Sequence, residues 1–253
     1  MRTTRILAGF FTLAPIALAS CSLPGKPKPG PEVPRPEEVT SFQQLFGQNC
    51  AGCHGAAGEK GSAMDLANPE YEALVDDATL HDVISKGEKG TLMPAFAIEN
   101  GGMLTDRQID ALVQGLRATW RKPDAFGGLT PPPYRATHEG DRASGAAVYM
   151  GMCAECHGAS ARKPGKAGSI LDGSFLALVN EQMIRSTVIA GRPDLGMPDW
   201  RGHSSGIPMT DDEVTNVTAW LMAQKPALPG QPYPIAGLTS GKPDEQQPSA
   251  VKR

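Results

Sequence analysis

Apolar side chains recur at intervals of three and four residues in several parts of this chain, which is the spacing that lines one face of a helix. One such segment ends just before residue 50, a second ends at Gly87, and a third follows a capping-box sequence at residues 105–108. No βαβ pattern accompanies these segments, so we predict an all-α fold. The apolar positions are Phe42, Leu45, Phe46, Leu80, Val83, Ile84, Ile109, Leu112, Val113, Leu116 and Trp120.

This pattern occurs a second time along the chain. Tyr149 stands where Phe46 stands in the first copy, residues 197–200 match residues 93–96, and a second capping box occupies residues 210–213. The offset grows only from 103 residues at Tyr149 to 105 residues at the capping box. A repeat that stays in register predicts two copies of one domain, which we place at residues 40–122 and 138–225. Residues 123–137 contain Gly127, Gly128 and three consecutive prolines, and we interpret them as a connector.

The N-terminal segment has the features of an export signal. Residues 1–21 begin with two arginines and continue as a mostly apolar run that is too short for a membrane span. The run closes with Leu-Ala-Ser-Cys21, which resembles the lipobox of bacterial lipoproteins. That resemblance implies cleavage before Cys21, lipidation of its thiol and anchoring on the periplasmic side of a bacterial membrane, inner or outer. The alternative is an ordinary signal peptide in which Cys21 is incidental.

Two further segments are predicted to lie outside the domains, a linker that disfavours helix and a C-terminal tail that is partly ordered and becomes disordered near Arg253. Residues 22–39 contain six prolines between residues 24 and 36, which favours an extended polyproline II linker. At about 3.1 Å per residue such a linker would reach about 55 Å, a suitable tether for a soluble head. Residues 226–253 form a tail rich in proline, glycine and polar residues.

The strongest chemical signal is a Cys-x-x-Cys-His motif that occurs once in each copy, at residues 50–54 and 153–157. With five Cys and five His in 253 residues, chance would produce this motif roughly 0.002 times per chain. On one helical turn the two thiols and the imidazole share a face. The thiols can therefore reach the two vinyl groups of one porphyrin, and the imidazole can reach the iron of the same porphyrin. The predicted attachment residues are Cys50, Cys53, Cys153 and Cys156, and the predicted proximal ligands are His54 and His157.

Two other readings of the cysteines remain open at this point. Paired zinc ligands usually lie within about 20 residues of each other, whereas 99 residues separate Cys53 from Cys153. A redox-active dithiol would accompany a βαβ pattern, which is not seen.

Each copy also offers a second axial ligand for an iron. Met93 and Met197 follow the two His residues by 39 and 40 positions, and each precedes a proline that favours an extended backbone. The alternative is that both Met side chains fill core space, which is the commoner role of Met. Competing candidates for this ligand are Met103, Met209, His81, His138 and His203. Met209 is also a possible hydrophobic staple, because it directly precedes the second capping box. Arg192 is not a ligand candidate; it is either a partner for a haem propionate or an exposed cation.

Both copies resemble class I cytochrome c domains, and the whole chain resembles the dihaem cytochromes c of bacterial electron transport. The resemblance implies two covalently bound haem c groups and an N-terminal helix that crosses a C-terminal helix in each domain. Phe46 with Leu112 or Leu116, and Tyr149 with Val217 or Leu221, are the expected crossing contacts. It also implies transfer of single electrons between redox proteins such as quinol-oxidising complexes, terminal oxidases, reaction centres or other cytochromes.

Charge bears on partners. Residues 40–122 hold 7 Lys and Arg against 11 Asp and Glu, and residues 138–225 hold 8 against 10. The net charge of -3 gives no indication of nucleic-acid binding and favours a partner with a basic docking face.

The rival hypothesis is a dihaem enzyme, a peroxidase or an oxidase of sulfur compounds, which would need an open or weak distal position on one iron. A fixed subunit of a larger membrane complex is a third reading, compatible with electron transfer.

Overall fold

The computed structural model describes residue 30, residues 32–202 and residues 207–226. The predicted signal segment with Cys21, half of the linker (residues 22–29 and 31), His203 and the tail from residue 227 lie outside the described residues. Within the described part there is no β-strand, only isolated bridges, and the all-α prediction is confirmed. Among the same residues no helix has the length and apolar character needed to cross a membrane.

In the described part of each domain there are five α-helices, in the same order. The first domain contains α1 (Phe42–Asn49), α2 (Ala51–His54), α3 (Pro69–Leu74), α4 (Asp77–Lys86) and α5 (Asp106–Trp120). The second contains α6 (Arg142–Met152), α7 (Ala154–His157), α8 (Gly173–Ala177), α9 (Glu181–Ala190) and α10 (Asp211–Ala223). Short 3-10 helices occur at Pro36–Glu38, Ile98–Asn100 and Pro193–Leu195.

Both predicted capping boxes are present, at the start of α5 and of α10. The Thr105 hydroxyl accepts from the backbone N–H of Gln108, whose side-chain oxygen accepts from the backbone N–H of Thr105. Thr210 and Glu213 make the same reciprocal pair. Because four backbone N–H groups at a helix start lack partners inside the helix, these pairs fix where the two long helices begin.

The predicted helix crossing occurs in both domains. Phe46 is buried in one apolar cluster with Leu112 and Leu116, and Tyr149 is buried in another with Val217 and Leu221. The aromatic contacts across the crossing are made with Trp residues near the end of the second helix. The Phe46 and Trp120 ring centroids are 5.2 Å apart, and those of Tyr149 and Trp220 are 4.6 Å apart.

One contact at this crossing is reversed between the two copies. In the first domain Phe42 of α1 lies against Gly115 of α5, where an added Cβ would be 2.1 Å from the Phe42 ring. In the second domain the small residue is Gly145 of α6 and the large one is Trp220 of α10. Gly145 occupies the position of Phe42 and Trp220 that of Gly115, as the repeat offsets of 103 and 105 residues show. In each domain, the two crossing helices therefore approach each other where a bulky aromatic side chain of one helix lies against a glycine of the other.

We expect Gly145→Ala to lower the free energy of unfolding by about 2–3 kcal/mol, because an added Cβ would lie 2.0 Å from the Asn216 carbonyl oxygen and force α6 and α10 apart. Gly151→Ala on the same helix is the matched control, since its Cβ would meet nothing within 4 Å and alanine favours helix by up to about 1 kcal/mol. Denaturant unfolding of the haem-loaded protein measures both. Equal effects of the two substitutions would contradict the packing at Gly145.

The segments on either side of the first domain are held by hydrogen bonds. Residues 36–39 belonged to the predicted linker, yet Pro36–Glu38 is a 3-10 helix, and the Gln108 amide donates to the carbonyl oxygens of Pro36 (2.8 Å) and Val39 (2.9 Å). In the connector, the Pro133 carbonyl accepts two hydrogen bonds from Arg185 of α9, a side chain only 2% exposed. Buried side-chain donors thus hold the backbone on both sides of the first domain.

The two domains pack directly on each other. Ala190, at the end of α9, lies in the apolar cluster of the first domain, and Leu74 of α3 packs against the cluster of the second. Asn68, which is 1% exposed, caps α3 and also donates from its amide to the Ala190 carbonyl oxygen at 2.9 Å. The domains therefore share buried surface between α3 and α9 and are not joined by the connector alone.

Candidate haem-binding sites

The two Cys-x-x-Cys-His motifs adopt the same backbone conformation. Each first Cys ends a helix with φ of −114°, and the remaining four residues form the single turns α2 and α7. The residue that follows each His is glycine with φ of 86°, a conformation that L side chains rarely adopt, so the chain can turn away directly after the His. The four thiols form no disulfide. Each motif is helical from its first Cys to its His, the backbone conformation in which positions i, i+3 and i+4 share a face.

The alternative roles of the cysteines receive no support from this geometry. No three His, Cys, Asp or Glu side chains converge on a metal-sized site anywhere in the described residues. Burial raises the pKa of Cys50 and of Cys153 to about 11 each, with the neighbouring thiol of each pair adding to the shift. A redox-active dithiol instead needs a thiol whose pKa is lowered, because the thiolate is the nucleophile.

Both histidines are oriented by a backbone carbonyl. The Nδ1 atom of His54 lies 2.7 Å from the carbonyl oxygen of Met64, and that of His157 lies 3.1 Å from the carbonyl oxygen of Gly168. Since a carbonyl only accepts, each Nδ1 carries the proton and donates it, which leaves Nε2 with a free lone pair. This is the arrangement that fixes the ring and raises the basicity of a metal-binding histidine.

The carbonyl acceptors lie on two loops that sequence reasoning missed. We call residues 60–65 the first proximal loop and residues 163–168 the second. Gly61 and Gly165 pass so close to the motifs that an added Cβ would lie 2.1 Å from the Cys53 oxygen and 2.2 Å from the Cys156 oxygen. The only sequence signal was a glycine eight or nine residues after the second Cys of each motif.

Met93 and Met197 lie on corresponding segments that pack against the ends of α4 and α9. Gly87 ends α4 with φ of 72°, and a Cβ there would lie 2.7 Å from the Met93 carbonyl oxygen. Gly191 has φ of 73°, and a Cβ there would lie 2.9 Å from the Met197 carbonyl oxygen. Only glycine permits this approach in either domain, so both half-buried Met residues are held by equivalent backbone contacts.

The competing ligand candidates have other surroundings. Met103 is 81% exposed, whereas Met209 is 2% exposed within the apolar cluster of the second domain, as expected of a hydrophobic staple. The Nε2 atom of His81 lies 3.0 Å from an Asp106 carboxylate oxygen, and that of His138 lies 3.2 Å from an Asp212 carboxylate oxygen. Both carboxylates belong to the first turns of helices, α5 and α10.

Arg192 is not the exposed cation that the sequence offered as one of its two roles. It is 9% exposed, and its guanidinium donates to Asp194 and to the carbonyl oxygens of Gly61 and Ala63 in the first domain. These bonds explain its burial, and they make Arg192 an interdomain contact and not an exposed cation.

One buried donor in the second domain has no protein partner among the described residues. Trp200 is 4% exposed, and its indole N–H is not hydrogen-bonded. It follows Met197 by three positions, in the place that Phe96 holds in the first domain. Buried N–H groups are rarely left unpaired, so an acceptor on a bound cofactor would satisfy it. Together with the free thiols and the oriented imidazoles, this residue set fits one haem c in each domain.

Comparison with known proteins gives two regions of similarity. Residues 37–114 and 140–221 match the family described as cytochrome C oxidase, cbb3-type, subunit III. The cbb3-type cytochrome c oxidase subunit CcoP of Azospirillum sp. (strain B510) is 26% identical over 196 residues, which cover 67% of this chain and 60% of that protein. The subunit FixP of Bradyrhizobium sp. (strain ORS 278) is 29% identical over 168 residues, which cover 63% of this chain and 53% of that protein. The chain thus spans between half and two thirds of each relative.

Solved structures show weaker likenesses. A chain of the reducing HAO-like protein complex of Kuenenia stuttgartiensis is 19% identical with a TM-score of 0.42, and the match covers 76% of this chain and 99% of that one. The thiosulfate dehydrogenase TsdBA of Marichromatium purpuratum is 20% identical with a TM-score of 0.29, covering 72% of this chain and 42% of that one. Both TM-scores are too low to bear on function.

The family match has one region in each copy of the repeat, and each region contains one Cys-x-x-Cys-His motif. The prediction of tandem class I cytochrome c domains with two haem c groups is confirmed on this ground. Because the two regions make up more than half of its length, this chain belongs to the family of cytochrome c oxidase, cbb3-type, subunit III, as a dihaem cytochrome with one haem c in each of two tandem domains.

Proposed function

We propose that this chain carries single electrons between redox proteins. Cys50 and Cys53 hold one haem and Cys153 and Cys156 the other, with Nε2 of His54 and His157 as proximal ligands and the Met93 and Met197 thioethers as distal ligands. Haem iron supplies a one-electron ferric–ferrous couple, which His/Met ligation places at a relatively high potential. The supporting observation is that both domains hold an Nδ1-bonded histidine and an equivalently packed Met segment.

The same residues argue against a catalytic role. A catalytic iron needs an open or weak distal position, and each domain supplies a Met on a segment fixed by a glycine contact. The chain has five cysteines, so Cys21 is the only thiol left over as an alternative distal ligand. We therefore propose an electron carrier or an electron-transfer subunit and not a peroxidase or a sulfur-compound oxidase.

The partners follow from the relatives and from charge. CcoP and FixP are named as subunits of cbb3-type cytochrome c oxidases, so we propose that this chain exchanges electrons with an oxidase or with other redox proteins of the same membrane. Its two domains are both acidic, which suits a partner with a basic docking face. Lipidation at Cys21 would place the chain on the periplasmic side of that membrane.

Met93→Ala and Met197→Ala test the ligation directly. The ferric protein should show the weak near-infrared band of Met-to-iron ligation at two haem equivalents, and each single substitution should remove about half of it because each Met serves one iron. Each variant should also bind carbon monoxide at one reduced centre. Met103→Ala is the control, since that exposed side chain should leave the band unchanged. Carbon monoxide binding at both centres of the unaltered protein would instead favour catalysis.

A further inference from the structure

Arg192 reaches out of the second domain into the first. It follows Gly191 at the end of α9, and its Nη1 and Nη2 atoms donate to the carbonyl oxygens of Ala63 (2.9 Å) and Gly61 (3.0 Å). Both acceptors belong to the first proximal loop. A planar guanidinium can serve two carbonyls and a carboxylate at once, which a lysine ammonium cannot match in geometry.

Asp194 completes this contact. It accepts from Nε and Nη2 of Arg192 at 2.9 and 2.8 Å, and its other role is to accept from the backbone N–H of Lys60 at 2.8 Å. The Asp194 side chain is 1% exposed in its pair with Arg192, so the pair is shielded from water. Three positions of the first proximal loop are therefore held by two side chains of the second domain.

The loop held in this way is the one that orients His54. The Met64 carbonyl, which accepts from His54 Nδ1, directly follows Ala63, and the Ala63 N–H donates to the Cys53 carbonyl oxygen at 3.0 Å. The backbone of Arg192 pairs with that of Met197: the Arg192 N–H donates to the Met197 carbonyl oxygen at 3.0 Å, and the Met197 N–H donates to the Arg192 carbonyl oxygen at 2.9 Å. One residue thus connects the histidine support of the first domain to the Met segment of the second.

Among the described residues, no side chain of the first domain gives the second proximal loop an equivalent support. Its described backbone hydrogen bonds, from Lys163, Ala167 and Gly168, all end on atoms of the second domain. His157 is more exposed than His54, and its Nδ1 contact is longer, 3.1 Å against 2.7 Å. The residue that corresponds to Arg192 in the first domain is Glu88, whose carboxylate accepts from the Asn180 amide. In the part of the chain that the structure describes, the hydrogen bonds of Glu88 reach neither proximal loop.

We propose that Arg192 is a positioning residue for the first haem: with Asp194 it fixes the first proximal loop, so that the second domain sets the strength of the His54 hydrogen bond and with it the reduction potential of the first haem. The proposal rests on the proposed role of His54 as an iron ligand. A stronger Nδ1–H bond makes the imidazole a better donor and favours ferric iron, so loosening the loop should raise the potential.

Redox titration of Arg192→Lys and Arg192→Met in the full haem-loaded chain tests this. Both variants lose the double contact to Gly61 and Ala63, so both should shift the first haem to higher potential and leave the second unmoved. The first haem is identified as the wave that Met93→Ala displaces. Exchange of the Ala63 amide hydrogen should accelerate about tenfold or more, since a hydrogen bond from a charged donor is worth at least that factor.

Arg201→Met is the matched control. Arg201 also joins the domains, through Glu70 (2.8 Å) and the Ala125 carbonyl (3.2 Å), but it does not touch the first proximal loop. If Arg201→Met shifts the first haem equally, general loosening of the interface explains the effect and the proposal is overturned. It is also overturned if Arg192→Lys behaves as the unaltered protein while Arg192→Met lowers the potential, which is the effect of charge alone. The Ala63 exchange rate reports on the loop even if the near-infrared spectrum rejects Met ligation, so the two proposals fail separately.

Discussion

Replacing Cys153 and Cys156 together by alanine is expected to leave a single covalently bound haem per chain, attached in the first domain. Covalent attachment needs a thiol, and the two copies keep their motifs on separate one-turn helices, α2 and α7. Mass spectrometry of the purified protein under denaturing conditions counts the attached haems. The reciprocal replacement of Cys50 and Cys53 should likewise leave one haem, now in the second domain.

Cys21→Ala is the control for this experiment. It removes the only other thiol in the chain and should leave two attached haems, while the mass of any lipid would be lost. Two haems on either doubly substituted chain would show that the motif cysteines are not the attachment points. Loss of both haems from one double substitution would show that the two domains cannot be loaded independently.

Arg117→Met should cost about 3–5 kcal/mol of unfolding free energy, the second large effect that the structure predicts. Arg117 donates to the Glu72 carboxylate at 2.8 Å and to the carbonyl oxygens of Glu72 and Val75, which ties α5 to α3. The Glu72 side chain is 0% exposed. Removing its cation leaves a buried carboxylate without its hydrogen-bonded partner charge, and that penalty exceeds the value of a surface pair.

The loss should depend on pH in a definite direction. Burial raises the pKa of the Glu72 carboxyl, and Arg117 opposes that rise. Without Arg117 the pKa rises further above its unfolded value, so the penalty is full at high pH and shrinks as Glu72 takes up a proton. Denaturant unfolding at about pH 8 and about pH 5 should therefore show the smaller deficit at the lower pH.

Two further variants make this test specific. Glu72→Gln combined with Arg117→Met should recover part of the loss and remove its pH dependence, since the remaining amide carries no charge. Arg121→Met is the surface control, because Arg121 is half exposed and lies 4.0 Å from Asp77. A deficit for Arg117→Met no greater than that for Arg121→Met would contradict the importance of the buried pair.

The sequence was sufficient for the features that depend on local spacing. The helix faces, the capping boxes at Thr105 and Thr210 and the glycine ends of α4 and α9 follow from neighbouring residues, and all appear in the structure. The assignments of individual axial ligands stay predictions, although the segments that carry Met93 and Met197 pack alike.

What the sequence did not reveal depends on contacts between distant residues. Arg192 and its carbonyl acceptors are about 130 positions apart, and no local pattern distinguishes a buried arginine from an exposed one. The connector shows the same limit: its prolines and glycines mark a boundary between domains, while the donors that hold Pro133 and Tyr134 come from α9. The carbonyls that orient the two histidines are backbone atoms, which carry no side-chain signal at all.

The reversed large and small residues at the two helix crossings also bear on how a duplicated chain assembles. If α1 paired with α10, Phe42 would meet Trp220 and two bulky rings would compete for one place; if α6 paired with α5, Gly145 would face Gly115 across a void. Neither exchanged pair can therefore reproduce the packing of the native pairs, which are α1 with α5 and α6 with α10. Because the two copies differ at these two positions, each N-terminal helix packs well only against the C-terminal helix of its own domain. This selectivity disfavours misassembly within one chain and domain exchange between two chains.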